Sequence, residues 1–242
     1  MKKELKRQIK QDELKSGLET VVTWLAAHGR QIRTVSVAAV AALALFGVFS
    51  WWTASRGEAA REDFRSADEI FHAPLRSELP QDAEPSGPVF ETETERYEKA
   101  MAAFDGFERR FPRHELALRA RYYAGLARAR LGKTEEAETL LSEVAARRDL
   151  GSIEPSLALL ALGSLYASQE SWDQAVDVYQ RLLEGEAGLP RAQVLMSLAA
   201  CLEGANRIDE ARSSYERVSR EFPASVYAAE ARSRAEFLEL PG

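Results

Sequence analysis

A chain of 242 residues, 45% hydrophobic and 29% charged, has room for one sizeable folded domain and an appendage. Its charge is unevenly divided: residues 1–52 carry eight basic and four acidic side chains, and the remainder carries 24 basic against 34 acidic, a net of −10. That acidity excludes the basic footprint that neutralises nucleic-acid phosphates, and the single cysteine, Cys201, excludes an intrachain disulfide framework.

The first element in chain order is a basic amphipathic segment, residues 1–33. Leu14, Leu18, Val21 and Leu25 recur at spacings of four, three and four, and His28-Gly29-Arg30 interrupts the pattern. Such a stretch either lies on the inner leaflet or docks on a partner's cytoplasmic face, or it only sets orientation by its charge.

Between Arg33 and Arg56 no side chain is charged. This run of 22 residues, 34–55, would extend about 33 Å as a helix, enough for a bilayer core of about 30 Å. Trp51 and Trp52 stand where aromatic rings favour the headgroup level. Residues 1–33 hold eight Lys/Arg, whereas the fifteen residues from Thr53 to Ala67 hold only Arg56, Arg61 and Arg65. The positive-inside rule then predicts a single transmembrane helix with a cytoplasmic N-terminus and the rest of the chain outside the cytoplasm. A cleaved signal peptide would call for a shorter apolar core and a small-residue cleavage site.

Residues 56–112 read as a helical extension, a loop and a degenerate hairpin. Ala60, Phe64, Ala67 and Phe71 recur at helical spacing, so a helix continues or resumes to about His72. Pro74, Pro80, Pro85 and Pro88, with Gly87, predict a loop. Ala100, Phe104, Phe107 and Phe111 restore a helical stripe, which Phe111-Pro112 ends.

From 113 to 242 the chain repeats itself. Ala137, Ala175 and Ala211 follow one another at intervals of 38 and 36 residues, each with a bulky Leu141, Tyr179 or Tyr215 four residues on. A small residue, Gly125, Gly163 or Ala199, occupies a fixed place in the helix before, where it lets two antiparallel helices approach closely. The three units, Leu118 to Gly151, Ser156 to Leu189 and Ala192 to Ser225, resemble tetratricopeptide repeats, which are known for binding other proteins. Pro155 and Pro190 suit first-turn positions, and Ser171 with Gln174 suits a capping box. Phe222-Pro223 breaks the last unit, after which Ser225 can cap a helix from Val226 to Leu238 whose Glu230, Arg232, Arg234 and Glu236 solvate the end of the stack. The fold expected is all-α: one transmembrane helix followed by a tetratricopeptide-repeat solenoid.

A catalytic constellation does not assemble from these residues. His28, His72 and His114 lie on separate segments without zinc-ligand spacing. Gly132-Lys133-Thr134 copies the tail of a phosphate loop, but Ala127 replaces its first glycine and a helix, where a strand is required, precedes it. No enzyme activity, metal or cofactor is expected, and Cys201, amid Leu198, Ala199 and Leu202, reads as a small buried hydrophobe.

Stacked hairpins present a concave wall lined by the first helix of each repeat. In this register the wall comprises Arg119, Tyr122, Leu126 and Arg130, then Leu160 and Ser164, then Gln193, Met196 and Glu203. Some tetratricopeptide proteins clamp a C-terminal carboxylate with Lys and Asn, but Tyr122 and Leu126 occupy those places. Tyr122, Leu126, Leu160 and Met196 suit an apolar or unfolded segment, or else fill the core of a tighter superhelix.

The layout of the whole chain resembles the ancillary subunit family of the bacterial SecYEG translocon. The resemblance rests on the helix Leu18-Glu19-Thr20-Val21-Val22-Thr23-Trp24-Leu25, the break at His28-Gly29-Arg30, the span ending in tryptophan, and the repeats behind it. It implies an inner-membrane anchor, a periplasmic repeat domain, and translocon subunits, periplasmic chaperones or exported polypeptides as partners. The stretch from Tyr215 to Ala231 is also similar to envelope repeat proteins such as the Tol-Pal cell-division coordinator and the outer-membrane assembly lipoprotein, which implies an envelope adaptor as the other role.

Overall fold

The computed structural model describes residues 29–82, 84–147, 151–185 and 188–239; between 29 and 54 it describes side chains only at 43, 46–48 and 50. The amphipathic segment expected before residue 29 lies outside the described residues. Regular structure among them is helical apart from one isolated parallel bridge, Leu75 with Phe90. The helices are α1 (Gly29–Phe71), α2 (Glu93–Arg110), α3 (Ala117–Arg130), α4 (Thr134–Ala145), α5 (Glu154–Ser168), α6 (Trp172–Glu184), α7 (Arg191–Gly204), α8 (Ile208–Glu221) and α9 (Ala228–Glu239), with a 3-10 turn at Arg76–Glu78.

The chain divides into two units, Met1–Glu58 and Ala59–Gly242. In the first, the backbone of the apolar run lies within α1, but most of its side chains lie outside the described residues. Among the described residues no helix is long and apolar enough to cross a membrane. Leu43, Phe46 and Val48, which are described, are 69%, 69% and 66% exposed.

In the second unit, one turn closes all three repeats. The amides of Lys133, Ser171 and Arg207 donate to the carbonyls of Arg128, Tyr166 and Leu202, while those of Gly132, Glu170 and Asn206 donate to Ala129, Ala167 and Glu203. This 6→1 and 5→2 pair is the Schellman closure of a helix, and it requires a left-handed residue. Gly132, Glu170 and Asn206 supply it at φ of 71°, 57° and 59°. The expected capping box at Ser171 does not form: no side-chain cap bond is made there. Ser171 has ψ of 61°, matching Lys133 (66°) and Arg207 (63°), away from the extended backbone from which cap hydroxyls reach the first amides. The Gly132-Lys133 pair is therefore a helix terminator and not a phosphate cradle.

A second junction also recurs. α2 and α8 end on Phe111 and Phe222 with nearly the same backbone, φ −132°, ψ 51° and φ −131°, ψ 56°. A proline follows each, and in both the next three-residue hydrogen-bonded turns run His114 to Phe111 and Ala117 to His114, or Ser225 to Phe222 and Ala228 to Ser225. α9 accordingly stands to α8 as α3 stands to α2. Ser225 Oγ accepts from the Tyr227 amide at 3.3 Å, but these extra turns delay the helix to Ala228, two residues beyond the expected start. Pro155 falls in the first turn of α5 as expected. Pro190 falls one place earlier, as the residue preceding α7, where its ψ of 104° directs the chain into the helix.

Packing follows the small residues. Ala100, Ala137, Ala175 and Ala211, one on each of α2, α4, α6 and α8, are fully buried, and the bulky residues four places on, Phe104, Leu141, Tyr179 and Tyr215, are buried beside them. The end of α1 completes the first hairpin: Ala60, Phe64 and Ala67 pack with Phe104 and Phe107, and the Phe64 ring meets both phenylalanines edge-on at 5.7 Å. Two further clusters continue through α4–α8 and α7–α9. The loop between α1 and α2 is pinned by the Arg76 amide on Phe90 O (2.8 Å) and by Arg96 Nη1 on Ala73 O (2.8 Å).

Candidate protein-binding surface

The wall residues expected on α3, α5 and α7 stand at the second, fifth and ninth positions of their repeats, with Arg130 and Glu203 further along their helices. Tyr122, Leu126, Leu160, Gln193 and Met196 are half-buried there, while Arg119, Arg130 and Ser164 are exposed. Tyr122 and Leu160 rest on the apolar cluster through α4–α8, and Met196 on the one through α7–α9, so these side chains serve both as core and as wall. Burial, with the charges of Tyr123 and Glu154 adding to it, pushes the Tyr122 phenol up to about 12.

Three of the expected wall residues have internal partners. Arg119 Nε donates to Glu154 Oε1 at 2.6 Å, and Ser152 Oγ donates to the other oxygen at 2.6 Å. Glu154 is 6% exposed; its burial alone would raise the carboxyl, but these hydrogen bonds outweigh it and hold the group below its ordinary range. Glu203 receives Arg234 of α9 at 3.2 Å and the Tyr215 hydroxyl at 3.2 Å. Glu203 is therefore a tie between α7, α8 and α9, a pairing that spans 31 residues and leaves no local sequence signal. Ser164 Oγ bonds to Leu160 O (3.1 Å) and meets the Tyr179 hydroxyl at 3.2 Å.

Three wall residues escaped the sequence reading, of which Ala200, at the register position of Leu126 and Ser164, is exposed. Leu157, at the register position of Arg119 and Gln193, is half-buried. Phe237 of α9 is 61% exposed; the junction shared by α2–α3 and α8–α9 places it in register with Leu126. The match between Phe111-Pro112 and Phe222-Pro223 was the signal that could have found it.

A cleft of about 660 Å³ opens on the other side of the stack, where α6, α7 and α8 meet around Leu183, Arg191, Leu202 and Ser214. Ser214 takes the register position that Leu140 and Val178 hold on α4 and α6, and Leu140 lines a smaller cleft of about 370 Å³ with Asp105, Glu108 and Arg109 of α2 and Arg128 of α3. Among the described residues no group of three His, Cys, Asp or Glu gathers to hold a metal ion, and His72 and His114 lie on different segments.

Comparison with known proteins agrees with this geometry. Residues 93–153, 126–192 and 160–226 each match the tetratricopeptide repeat family, together more than half of the chain. No curated protein matches. Among solved structures, a tetratricopeptide repeat protein from Parabacteroides merdae ATCC 43184 is similar over 76% of this chain and 60% of its own, at 16% identity and a TM-score of 0.54. The nearly identical repeats of a putative kinesin light chain from Podosopora anserina are similar over 76% and 89%, at 15% identity and a TM-score of 0.50. MamA from Desulfovibrio magneticus RS-1 is similar over 60% and 86%, at 17% identity and a TM-score of 0.45. At these identities the likeness shows the fold alone. Three overlapping matches to one family, on hairpins closed by one recurring turn, settle the assignment: the chain belongs to the tetratricopeptide repeat family, whose members are typically non-catalytic scaffolds for protein–protein interaction.

Proposed function

We propose that this chain is a membrane-anchored adaptor whose periplasmic repeat domain grips polypeptides on the concave wall of α3, α5, α7 and α9. The observation that carries the binding function is the wall itself, where Leu157, Leu160 and Met196 remain only half-buried and Phe237 stays 61% exposed although the same helices bury Ala158, Leu162, Leu195, Ala199, Ala231 and Ala235. Large apolar side chains held partly open in a row mark a surface reserved for a partner.

The anchor reading is supported by the uncharged run from 34 to 55, by the excess of Lys/Arg before it and by Trp51-Trp52 behind it. Exposure of Leu43, Phe46 and Val48 is consistent with a lipid-facing helix. The likeness of the whole layout to the ancillary translocon family supports a place beside the export channel, with chaperones or emerging chains as the cargo of the wall.

Photo-crosslinking in intact membranes tests both parts. A crosslinker at Leu18 is expected to capture translocon subunits, and one at Tyr122 chaperones or exported chains. Capture of division or outer-membrane assembly proteins at both sites, without translocon peptides, would replace the export role by that of an envelope adaptor. A periplasmic reporter fused after Gly242 should be active; an inactive periplasmic fusion with an active cytoplasmic one would remove the proposed topology.

A further inference from the structure

The wall has an unusual electrical property for an acidic domain. α5 carries one charged residue, Glu154, and α7 carries two, Arg191 and Glu203. Arg119 neutralises Glu154 at 2.6 Å, and Arg234 neutralises Glu203 at 3.2 Å. Arg191 lines the cleft between α6 and α8. The middle of the wall thus presents Leu157, Leu160, Ser164, Met196 and Ala200 with no uncompensated charge. At its two ends stand Arg130 of α3 and Glu230 of α9, both exposed, and neither has an ion-pair partner among the described residues.

We infer that the wall selects a polypeptide segment that is apolar and uncharged at its centre and carries one acidic and one basic flank. This rests on the concave-wall function proposed above and names the chemistry of its cargo. A charge brought to the centre would lose water and meet no counter-charge, since Glu154 and Glu203 already have theirs; burial of an unpaired charge is strongly unfavourable. An acidic flank meets Arg130 and a basic flank meets Glu230, in either chain direction. With helices packed about 8–10 Å apart, four of them span about 25–30 Å, and Arg130 lies about 16 Å further along its helix than the level of Glu230, so about nine or ten extended residues join the two charges.

The test uses the full chain in its membrane, with benzoylphenylalanine in place of the exposed Ala200, so that crosslinking reports the wall and not peptide dissolved in lipid. The probes are nine-residue peptides of Leu, Met and Ser with an Asp at one end and a Lys at the other. An Asp or a Lys at the central position should raise the half-saturating concentration at least tenfold. Peptides with two acidic or two basic flanks should crosslink several-fold less well than the mixed one, and Arg130→Glu should move the preference to two basic flanks. Equal crosslinking of the centrally charged peptides, or an unchanged flank preference in Arg130→Glu, overturns the inference while leaving the wall as a binding surface. Absence of crosslinking by every peptide, with no capture from Tyr122 in membranes, overturns both.

Discussion

Gly163 lies directly beneath the ring of Tyr179: a Cβ added to the glycine would stand 2.6 Å from the ring's Cζ. α5 and α6 approach so closely because that glycine has no side chain, and the tyrosine hydroxyl then reaches Ser164 at 3.2 Å. Gly163→Ala gains helix propensity, worth about 0.5–1 kcal/mol, but forces the ring aside in a filled core, which costs about 1–3 kcal/mol. The variant should unfold at lower urea than the parent. Gly125→Ala faces two side-chain carbons of Leu141 at 3.0 Å, which can rotate, so its midpoint should fall less. Equal midpoints for the two variants would mean that Tyr179 does not set the spacing.

The left-handed turn residues give an opposing pair of expectations. Glu170 holds φ of 57° without being a glycine, whereas Gly132 does the same job at 71°. A residue with a Cβ in this conformation costs about 1 kcal/mol relative to glycine. Glu170→Gly should therefore raise the thermal midpoint and Gly132→Ala should lower it, both measured by circular dichroism at 222 nm. A fall in Glu170→Gly would show that the Glu170 side chain makes a compensating contact.

How much of this was legible beforehand depends on the range of the interaction. The pairs Gly125–Leu141 and Gly163–Tyr179 are neighbours across one hairpin, so a fixed spacing in the chain exposes them, and the repeat register followed directly. The stripe Ala100, Phe104, Phe107 likewise gave α2. Arg119–Glu154 and Glu203–Arg234 join helices of different repeats, and their partners are set by the superhelical twist, which no local pattern encodes. The capping box at Ser171 failed for a local reason that a sequence motif does not carry: the residue before it is left-handed, and its own amide is committed to closing the preceding helix.

Glu154 predicts an acid sensitivity. Its buried carboxyl is held below the ordinary value of 4.5 by Ser152 and Arg119 against the cost of burial. A depressed folded-state value means that the ionised form stabilises the fold; this contribution is full above pH 4.5 and is lost as pH falls through the folded-state value. Between neutrality and about pH 3, Glu154→Gln should lose less stability than the parent does. Arg119→Ala leaves the buried carboxylate without its charged partner and should cost about 1–3 kcal/mol at pH 7. Parallel pH curves for the parent and Glu154→Gln would show that Ser152 and Arg119 do not hold the carboxyl below its unfolded-state value.

Tyr166 predicts the converse at high pH. Burial and its hydrogen bond to Glu138, 2.7 Å from hydroxyl to carboxylate, push the phenol up to about 12 from 10.0. A raised folded-state value makes the neutral form the stabilising one, so the contribution is full below pH 10 and is lost as pH rises toward 12. Tyr166→Phe should show a flatter decline in stability from pH 10 to 11.5, and its absorbance at 295 nm should lack one late-ionising phenol.

Cys201 tests the packing of α7 on α6. The thiol is 3% exposed, and burial pushes it up to about 11 from 9.0. Only the thiolate reacts with alkylating reagents. At pH 8 the two values differ by about two units, so the thiolate fraction alone makes the folded protein react about a hundredfold more slowly than the unfolded chain. Iodoacetamide labelling at pH 8 should be slow in buffer and fast in urea, and the rate in intermediate urea should follow the unfolding transition, since Cys201 is shielded by the same contacts that hold the repeats together. Labelling in buffer at the urea rate would mean that the helix pair opens without the rest of the stack, and that Leu198 and Leu202, its neighbours in the cluster through α4–α8, do not hold α7 in place.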